Sequence, residues 1–389
     1  MVPRFIILLS VATLVLLGLH YYVFERTSRY LALGPTEQRM LKLVLGALFV
    51  LVWTAMPLGR LLTMDGARPL FYAAFVWLGT LVLLSVGLLF GDMARWVSSV
   101  LPLDEGRRAW LVTVAGRGSL GLGALLSGTA LFEGLRRVAI KRVDVALPSL
   151  PPALDGLRIV QISDVHIGPT LRGHWLRYVV DQINSLSPDV IAITGDLVDG
   201  PVGALRQHVA PLGQLQSRLG TFFVTGNHEY YSGANDWIAE LRRMGISVLR
   251  NERVTLTHDP AAGPAGHIDI AGVDDFHSHS FPGHGPDLAK ALAGRDPARP
   301  VVLLAHQPLQ VHEAAEQGVS LQLSGHTHGG QIWPWGYFVR LQQPFIAGLH
   351  RIGQTLLYVS CGTGYWGPPM RLAAPAEITE LRLRATPSA

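Results

Sequence analysis

A chain of 389 residues exceeds one small domain and, at roughly 150 residues per domain, points to two or three units. Hydrophobic residues make up 49% and charged residues only 15%, with a mean hydropathy of +0.30; this excludes a disordered chain and argues against an ordinary soluble enzyme. A single cysteine, Cys361, excludes a disulfide framework and a thiolate zinc site.

The net charge of +4 is unevenly distributed. Thirteen Lys/Arg and seven Asp/Glu precede Ile140, a net of +6, whereas nineteen and twenty-one follow it, a net of −2. Fourteen of the fifteen histidines also follow, and only His20 precedes. The basic pI of 9.3 therefore belongs to the first third and is no argument for a nucleic-acid partner.

That first third is greasy. Residues 5–24 carry no charge for 20 positions, residues 43–59 for 17 and residues 70–90 for 21, near the roughly 20 needed to cross a bilayer. None shows the polar face of a buried soluble helix. The first run is longer than a signal-peptide core and has no small-residue cleavage site near Leu19-His20-Tyr21-Tyr22, so it reads as an anchor. A fourth run, 110–132, is interrupted by Arg117, which lies close enough to one end to snorkel. Gly121, Gly123 and Gly128 there would permit close helix contacts. An all-α membrane domain of three or four transmembrane helices is expected over residues 1–140. For four spans the Lys/Arg residues divide seven against seven, so sidedness stays open. Arg136, Arg137, Lys141 and Arg142 close this part, as a snorkelling helix end or a contact for anionic headgroups.

Residues 141–154, with Leu147-Pro148-Ser149-Leu150-Pro151-Pro152, read as a stiff linker. Over 155–389, strand-length apolar runs at 157–163, 190–194, 221–225, 301–305 and 321–324 alternate with helical patterns. Leu176, Val179, Val180 and Ile183 form one such pattern, and Trp237, Ile238, Leu241 and Met244 another. This alternation predicts an α/β domain with buried, largely parallel strands. The His/Gly/Pro-rich stretch 277–286 reads as a mobile flap.

Each apolar run ends in polar residues of metal-ligand type: Asp164-Val165-His166, Gly195-Asp196, Gly226-Asn227-His228-Glu229, His306, and Gly325-His326-Thr327-His328. Sites in α/β sheets form beyond the carboxyl ends of strands. The donors Asp164, His166, Asp196, Asn227, His306, His326 and His328 are too many for one ion and suit two that share a carboxylate. Mixed nitrogen and oxygen donors without thiolate favour Mn, Fe or Zn over Mg or Ca. Two such ions about 3.5–4 Å apart can clamp the attacking and leaving oxygens of a phosphoryl displacement.

These residues, with Asp199 after Gly195-Asp196 and the Gly-His-x-His-Gly-Gly-Gln ending, resemble the five signatures of the calcineurin-like metallophosphoesterases. The resemblance covers about residues 155–385 and implies a two-sheet sandwich flanked by helices. It implies one metal held by Asp164, His166, Asp196 and His328, and a second by Asp196, Asn227, His306 and His326. His228 would then not be a ligand but a catalytic group beside the phosphoryl, oriented by Asp199. Family members often have Asp where Glu229 stands, and the protein-phosphatase branch has an arginine where Gly200 stands. Arg371 is a candidate replacement for that phosphate clamp, with an ordinary surface arginine as the alternative. The ending, the Gly272-Val273-Asp274-Asp275 stretch and the membrane part are similar to the bacterial membrane-associated branch, which implies an inner-membrane, multi-pass protein.

The expected function is hydrolysis of a phosphodiester or pyrophosphate, in a substrate of lipid or cell-envelope type, with membrane lipids as partners and no nucleic acid. The rivals are a non-catalytic metal-binding membrane scaffold and a phosphomonoesterase or nuclease of the same superfamily. His277, His279 and His284 are expected in the flap, with a further metal site as the alternative. Tyr230 and Tyr231 stand equally for packing or for stacking on substrate, and Cys361, His312 and His350 are read as structural.

Overall fold

The computed structural model describes residues 2–59, 64–148, 150–258 and 265–385, and the chain divides into two compact units. The first comprises Met1–Leu135 together with Gly367–Leu372. Its helices are α1 (Val2–Tyr30), α2 (Pro35–Gly59), α3 (Met64–Val100) and α4 (Glu105–Leu135). Among the described residues, Pro35–Ala55, Gly66–Val100 and Glu105–Leu135 are long and apolar enough to span a bilayer, so the run broken by Arg117 qualifies. The expected span 5–24 falls on α1, although the side chains of residues 1–5 and 8 lie outside the described ones, as do Arg60 and Ser149.

Small residues bring α3 and α4 together. A Cβ on Gly123 would meet the Leu84 backbone at 2.8 Å, so the helices approach backbone to backbone there. Gly121 and Gly128 face open space and contribute nothing to that contact. The helices also hold a polar cluster that hydropathy does not reveal. The Asp92 carboxylate accepts from Tyr22 Oη at 3.0 Å, Arg26 Nε at 2.8 Å and Tyr30 Oη at 2.8 Å. A carboxylate on an apolar helix is tolerated when it is paired in this way.

The short return segment Gly367–Leu372 belongs to the same unit. Arg371 N–H donates to Ala130 O at 2.8 Å, and a Cβ on Gly134 would collide with the Pro369 and Met370 backbone. Arg371 is fully buried, so it is not an ordinary surface arginine.

The second unit, Arg136–Trp366 with Ala373–Ala389, holds two six-stranded sheets. In the first, β1 (Ala139–Leu147), β2 (Arg158–Ile162), β3 (Val190–Thr194), β4 (Gly220–Val224) and β5 (Ser247–Val248) join β12 (Glu377–Ala385) in the order β1-β12-β2-β3-β4-β5. The second contains β6 (Glu252–His258), β7 (Gly266–Gly272), β8 (Val301–Leu304), β9 (Leu321–Ser324), β10 (Gly348–Ile352) and β11 (Thr355–Val359), ordered β10-β11-β9-β8-β7-β6. The strands that carry the site, β2-β3-β4 and β7-β8-β9, run parallel within their sheets. Ile159, Ala192 and Val224 from one sheet share a buried core with Ile270, Leu304, Leu323 and Tyr358 from the other. All five expected strands appear to within a residue.

The remaining helices are α5 (Gly173–Ser185), α6 (Val202–Val209), α7 (Asn227–Ser232), α8 (Ala234–Arg243), α9 (Leu288–Leu292), α10 (Val311–Glu316) and α11 (Gly336–Val339). Helix α5 buries Leu176, Val179, Val180 and Ile183, the stripe expected of a helix covering a sheet. The strand β3 is buried at every position, as a central strand covered on both faces must be.

Three expectations change. The segment 141–154 is not a linker: β1 pairs in parallel with β12 along Ala139–Leu147, and Pro152–Leu154 form a turn of 3-10 helix. Lys141 and Arg142 are on that strand and bind Glu377 and Glu380 at 3.1 and 2.8 Å, so they are sheet ion pairs and not a helix end. His350 lies in β10 and not in a loop.

Candidate metal centre

The strand ends deliver their polar residues to one place. Asp164, His166 and His328 bring ligand atoms within 4.8 Å of one another, and so do Asp196, His306 and His326, and His166, Asp199 and His228. Asp196 Oδ2 lies 3.2 Å from His306 Nε2 and 3.9 Å from His166 Nε2, between the first two groups. His166 Nε2 and His328 Nε2 are 3.1 Å apart, and His306 Nε2 and His326 Nδ1 are 3.2 Å apart. Asn227 Oδ1 is buried without a hydrogen-bond partner, an expensive state for an amide oxygen unless a cation fills it. The seven donors therefore fit divalent metal ions.

Backbone strain is concentrated here. Asp164, His166, Asp196, His326 and His328 all have positive φ, between 50° and 71°. Non-glycine residues rarely adopt that region, and the cost persists only where the surroundings enforce it. Two glycines enforce it by letting neighbouring chains touch. A Cβ on Gly226 would strike the Asp196 carboxylate, and one on Gly325 would strike Asp164 and Ser163. Gly226→Ala is expected to displace Asp196 and reduce the metal content of the purified chain, as read by elemental analysis.

Outer contacts set the imidazoles. His306 Nδ1 donates to Thr194 O at 2.7 Å, which leaves Nε2 for coordination. Asp199 Oδ1 accepts from His228 Nδ1 at 2.6 Å and also from His166 Nδ1 at 3.0 Å. One carboxylate oxygen thus orients two rings. Burial would lower the His228 pKa, but the Asp196 charge and the Asp199 hydrogen bond outweigh it and raise it to about 9. Burial, reinforced by the His306 charge, pushes His326 down to about 3 in the metal-free site. Metal-stripped protein should therefore hold a proton on His228 at pH 7 and lose it as pH rises through about 9. In Asp199→Asn that transition should move down, which an NMR titration of the imidazole would read.

Glu229, whose effect the sequence does not disclose, is fully buried against the backbone. Its carboxylate accepts from Gly226 N–H at 2.7 Å, Leu197 N–H at 2.8 Å and Asp196 N–H at 3.0 Å. It therefore ties together the two loops that carry Asp196 and Asn227. Burial, then the neighbouring Asp196 charge, raise its pKa to about 7. Glu229→Ala would strand three buried N–H groups and should cost about 3 kcal/mol or more, measurable as lost thermal stability of the metal-free chain.

The other candidates separate. Tyr230 is buried, bonded to Thr225 and packed on Phe281 and His284, whereas Tyr231 is exposed with its ring 5.5 Å from His228. His284 lies beside Arg250 at 2.8 Å and His277 accepts from Gln307 Nε2 at 2.8 Å, while His279 is exposed. Among the described residues these three form no metal-type cluster. Their loop is held, because Arg250 pairs with Asp274 at 2.6 Å and Asn251 Nδ2 donates to Gly285 O at 2.7 Å. Cys361 is buried, and His312 lies on α10 beside Phe345.

Residues 157–330 match the calcineurin-like phosphoesterase family. A bovine transmembrane protein with metallophosphoesterase domain is 46% identical over 273 residues, which cover 68% of this chain and 61% of that protein. A metallophosphoesterase of Campylobacter jejuni is 37% identical over 68% of each chain. One from Aquifex aeolicus is 34% identical over 63% of this chain and 91% of its own. The match to the bovine protein thus spans about three fifths of that relative's length. With a two-sheet fold and clustered ligand-type residues at its strand ends, this membrane-associated chain belongs to the calcineurin-like metallophosphoesterases.

Proposed function

We propose that the chain is a membrane-anchored dinuclear-metal phosphohydrolase that cleaves a phosphodiester or pyrophosphate in a lipid or cell-envelope precursor. The observation that carries this reading is the pair of ligand clusters meeting at Asp196, with the His228–Asp199 pair beside them. In this reading Asp164, His166, Asp196 and His328 hold one ion, and Asp196, Asn227, His306 and His326 hold the other. Two divalent ions, Mn, Fe or Zn, supply Lewis-acid polarisation of the phosphoryl group and activation of the attacking water. His228 is the proton donor to the leaving oxygen. Asp199 fixes its Nδ1 tautomer, so Nε2 carries the transferable proton and the cationic form is favoured. The anchored chain works as a multi-pass protein of the bacterial inner membrane or an equivalent bilayer.

The intact ligand set supports catalysis over a scaffold role, and the −2 net charge after Ile140 is unsuited to binding a polyanion such as DNA. The deciding experiment gives purified full-length protein Mn and compares a lipid pyrophosphate, a phosphodiester and a phosphomonoester. Preference for either of the first two is expected. A clear preference for the monoester overturns the bond assignment, and no cleavage of any of them overturns the enzyme.

A further inference from the structure

Beyond His328 the chain enters a segment of unusual polarity for a water-facing surface. Trp335, Tyr337, Phe338 and Leu341, on and beside α11, are 59, 65, 57 and 82% exposed within seven residues. The rings of Trp335 and Phe338 lie 5.3 Å apart, and with their exposed neighbours Tyr337 and Leu341 they make up a crest of apolar surface. Polar contacts on its inner side hold it in place. Thr327 Oγ1 donates to Ile346 O at 2.7 Å, and Gln343 Nε2 donates to the buried Gln307 Oε1 at 3.1 Å. Gln331 ties the crest to Trp366, donating to its carbonyl at 2.9 Å and accepting from its N–H at 3.0 Å. Trp366 is itself exposed and stands 5.7 Å from the His228 ring, and the exposed Tyr231 stands 5.5 Å from the same ring. Apolar surface therefore borders the phosphoryl-transfer histidine as well as the crest.

Single exposed hydrophobes are ordinary, but a contiguous group beside a site marks an interaction surface. We infer that this crest seats in the headgroup layer of a lipid bilayer and offers the metal centre to the phosphate of an amphiphile held there. Three features select a bilayer. Trp and Tyr alongside Phe and Leu are the side chains of interfacial segments, amphipathic rings at headgroup level with apolar groups deeper. Arg340, exposed between Phe338 and Leu341, matches anionic headgroups. The four side chains present about 500 Å² in all, below the roughly 800 Å² per partner of a stable protein interface. A bilayer needs no such area from this surface, because the apolar helices of the same chain keep lipid at high effective concentration. The substrate class deepens the phosphohydrolase reading and rests on it, whereas the seat itself does not.

The test uses the full chain in nanodiscs of phosphatidylcholine and phosphatidylglycerol. A fluorophore is placed at Phe338→Cys or Leu341→Cys, and at Lys290→Cys, exposed on α9, as the control. Cys361 is buried and stays unlabelled. Brominated lipids should quench the labels at 338 and 341 several-fold more than the label at 290; equal quenching at all three, or none, overturns the seat. In the second arm, Phe338→Ser combined with Leu341→Ser is assayed on a vesicle-borne lipid phosphodiester and on a soluble aryl phosphodiester. About a ten-fold loss on the lipid with the soluble rate nearly unchanged is expected for an interfacial surface. Equal loss on both, or loss on neither, overturns it. A wild-type chain that cleaves neither substrate overturns the phosphohydrolase reading instead, and the quenching result then judges the seat alone.

Discussion

Asp196→Asn is expected to empty the metal centre and lower turnover by more than two orders of magnitude. Asp196 Oδ2 lies between the two ligand groups, so its charge serves both. Removing an outer-shell partner of a metal ligand typically costs 10–100-fold in affinity or activity, and loss of a carboxylate shared by two ions should exceed that. The amide is nearly isosteric, which separates loss of charge from loss of packing. Asn at this position would still leave Oδ1 to accept from His228 N–H, now 2.9 Å away. Elemental analysis of the purified variant should show metal falling together with activity, while the thermal stability of the stripped protein stays close to that of stripped wild type. Full activity with full metal content would refute the assignment.

His228→Ala should produce the complementary result, metal retained and turnover reduced about 10²–10⁴-fold, the usual worth of a positioned proton donor. The ring lies outside the Asp196, His306 and His326 group; it packs edge-on against His166 with centroids 4.7 Å apart and shares Asp199 with it, and its Nδ1 is taken by the Asp199 hydrogen bond. Asp199→Asn should fall between the two variants. The same Oδ1 steers His166, so this variant should weaken metal binding as well as misorient His228. A substrate with a leaving group of low pKa, which needs little protonation, should restore most of the loss in His228→Ala and less of that in Asp199→Asn. If His228→Ala lost its metal, His228 would be a ligand and the proton-donor role would fail.

The parts of the molecule legible in sequence were those written locally. Strands β2, β3, β4, β8 and β9 are short apolar runs, and each ends where its polar residues begin, so strand and site announce each other. The pairing of β1 with β12 joins Ala139 to Glu377 and has no local signature, which is why 141–154 resembles a proline-rich linker. Glu229 was similarly opaque. Besides the nearby Gly226, its partners are backbone N–H groups of Asp196 and Leu197, more than thirty residues away, and main-chain donors carry no residue identity. The helix lengths show a third limit. A charge-free run of 21 residues marks the middle of α3, but the helix continues to Val100 through Asp92, whose charge is matched by Tyr22, Arg26 and Tyr30 from α1. Hydropathy counts charges without seeing their partners.

The return segment Gly367–Leu372 bears on how the protein can be handled. Cutting the chain before Arg136 looks like a clean way to obtain a water-soluble enzyme, since the contact boundary falls there. Such a fragment would still carry Pro369, Met370 and Arg371, which are packed on Ala130 and Gly134 of the discarded helix. It would expose the apolar Pro369 and Met370, which pack on that helix in the whole chain, so it should aggregate or demand detergent even with every transmembrane helix gone. Replacing that segment with a short polar loop, rather than moving the cut, is the change that should yield a tractable soluble domain.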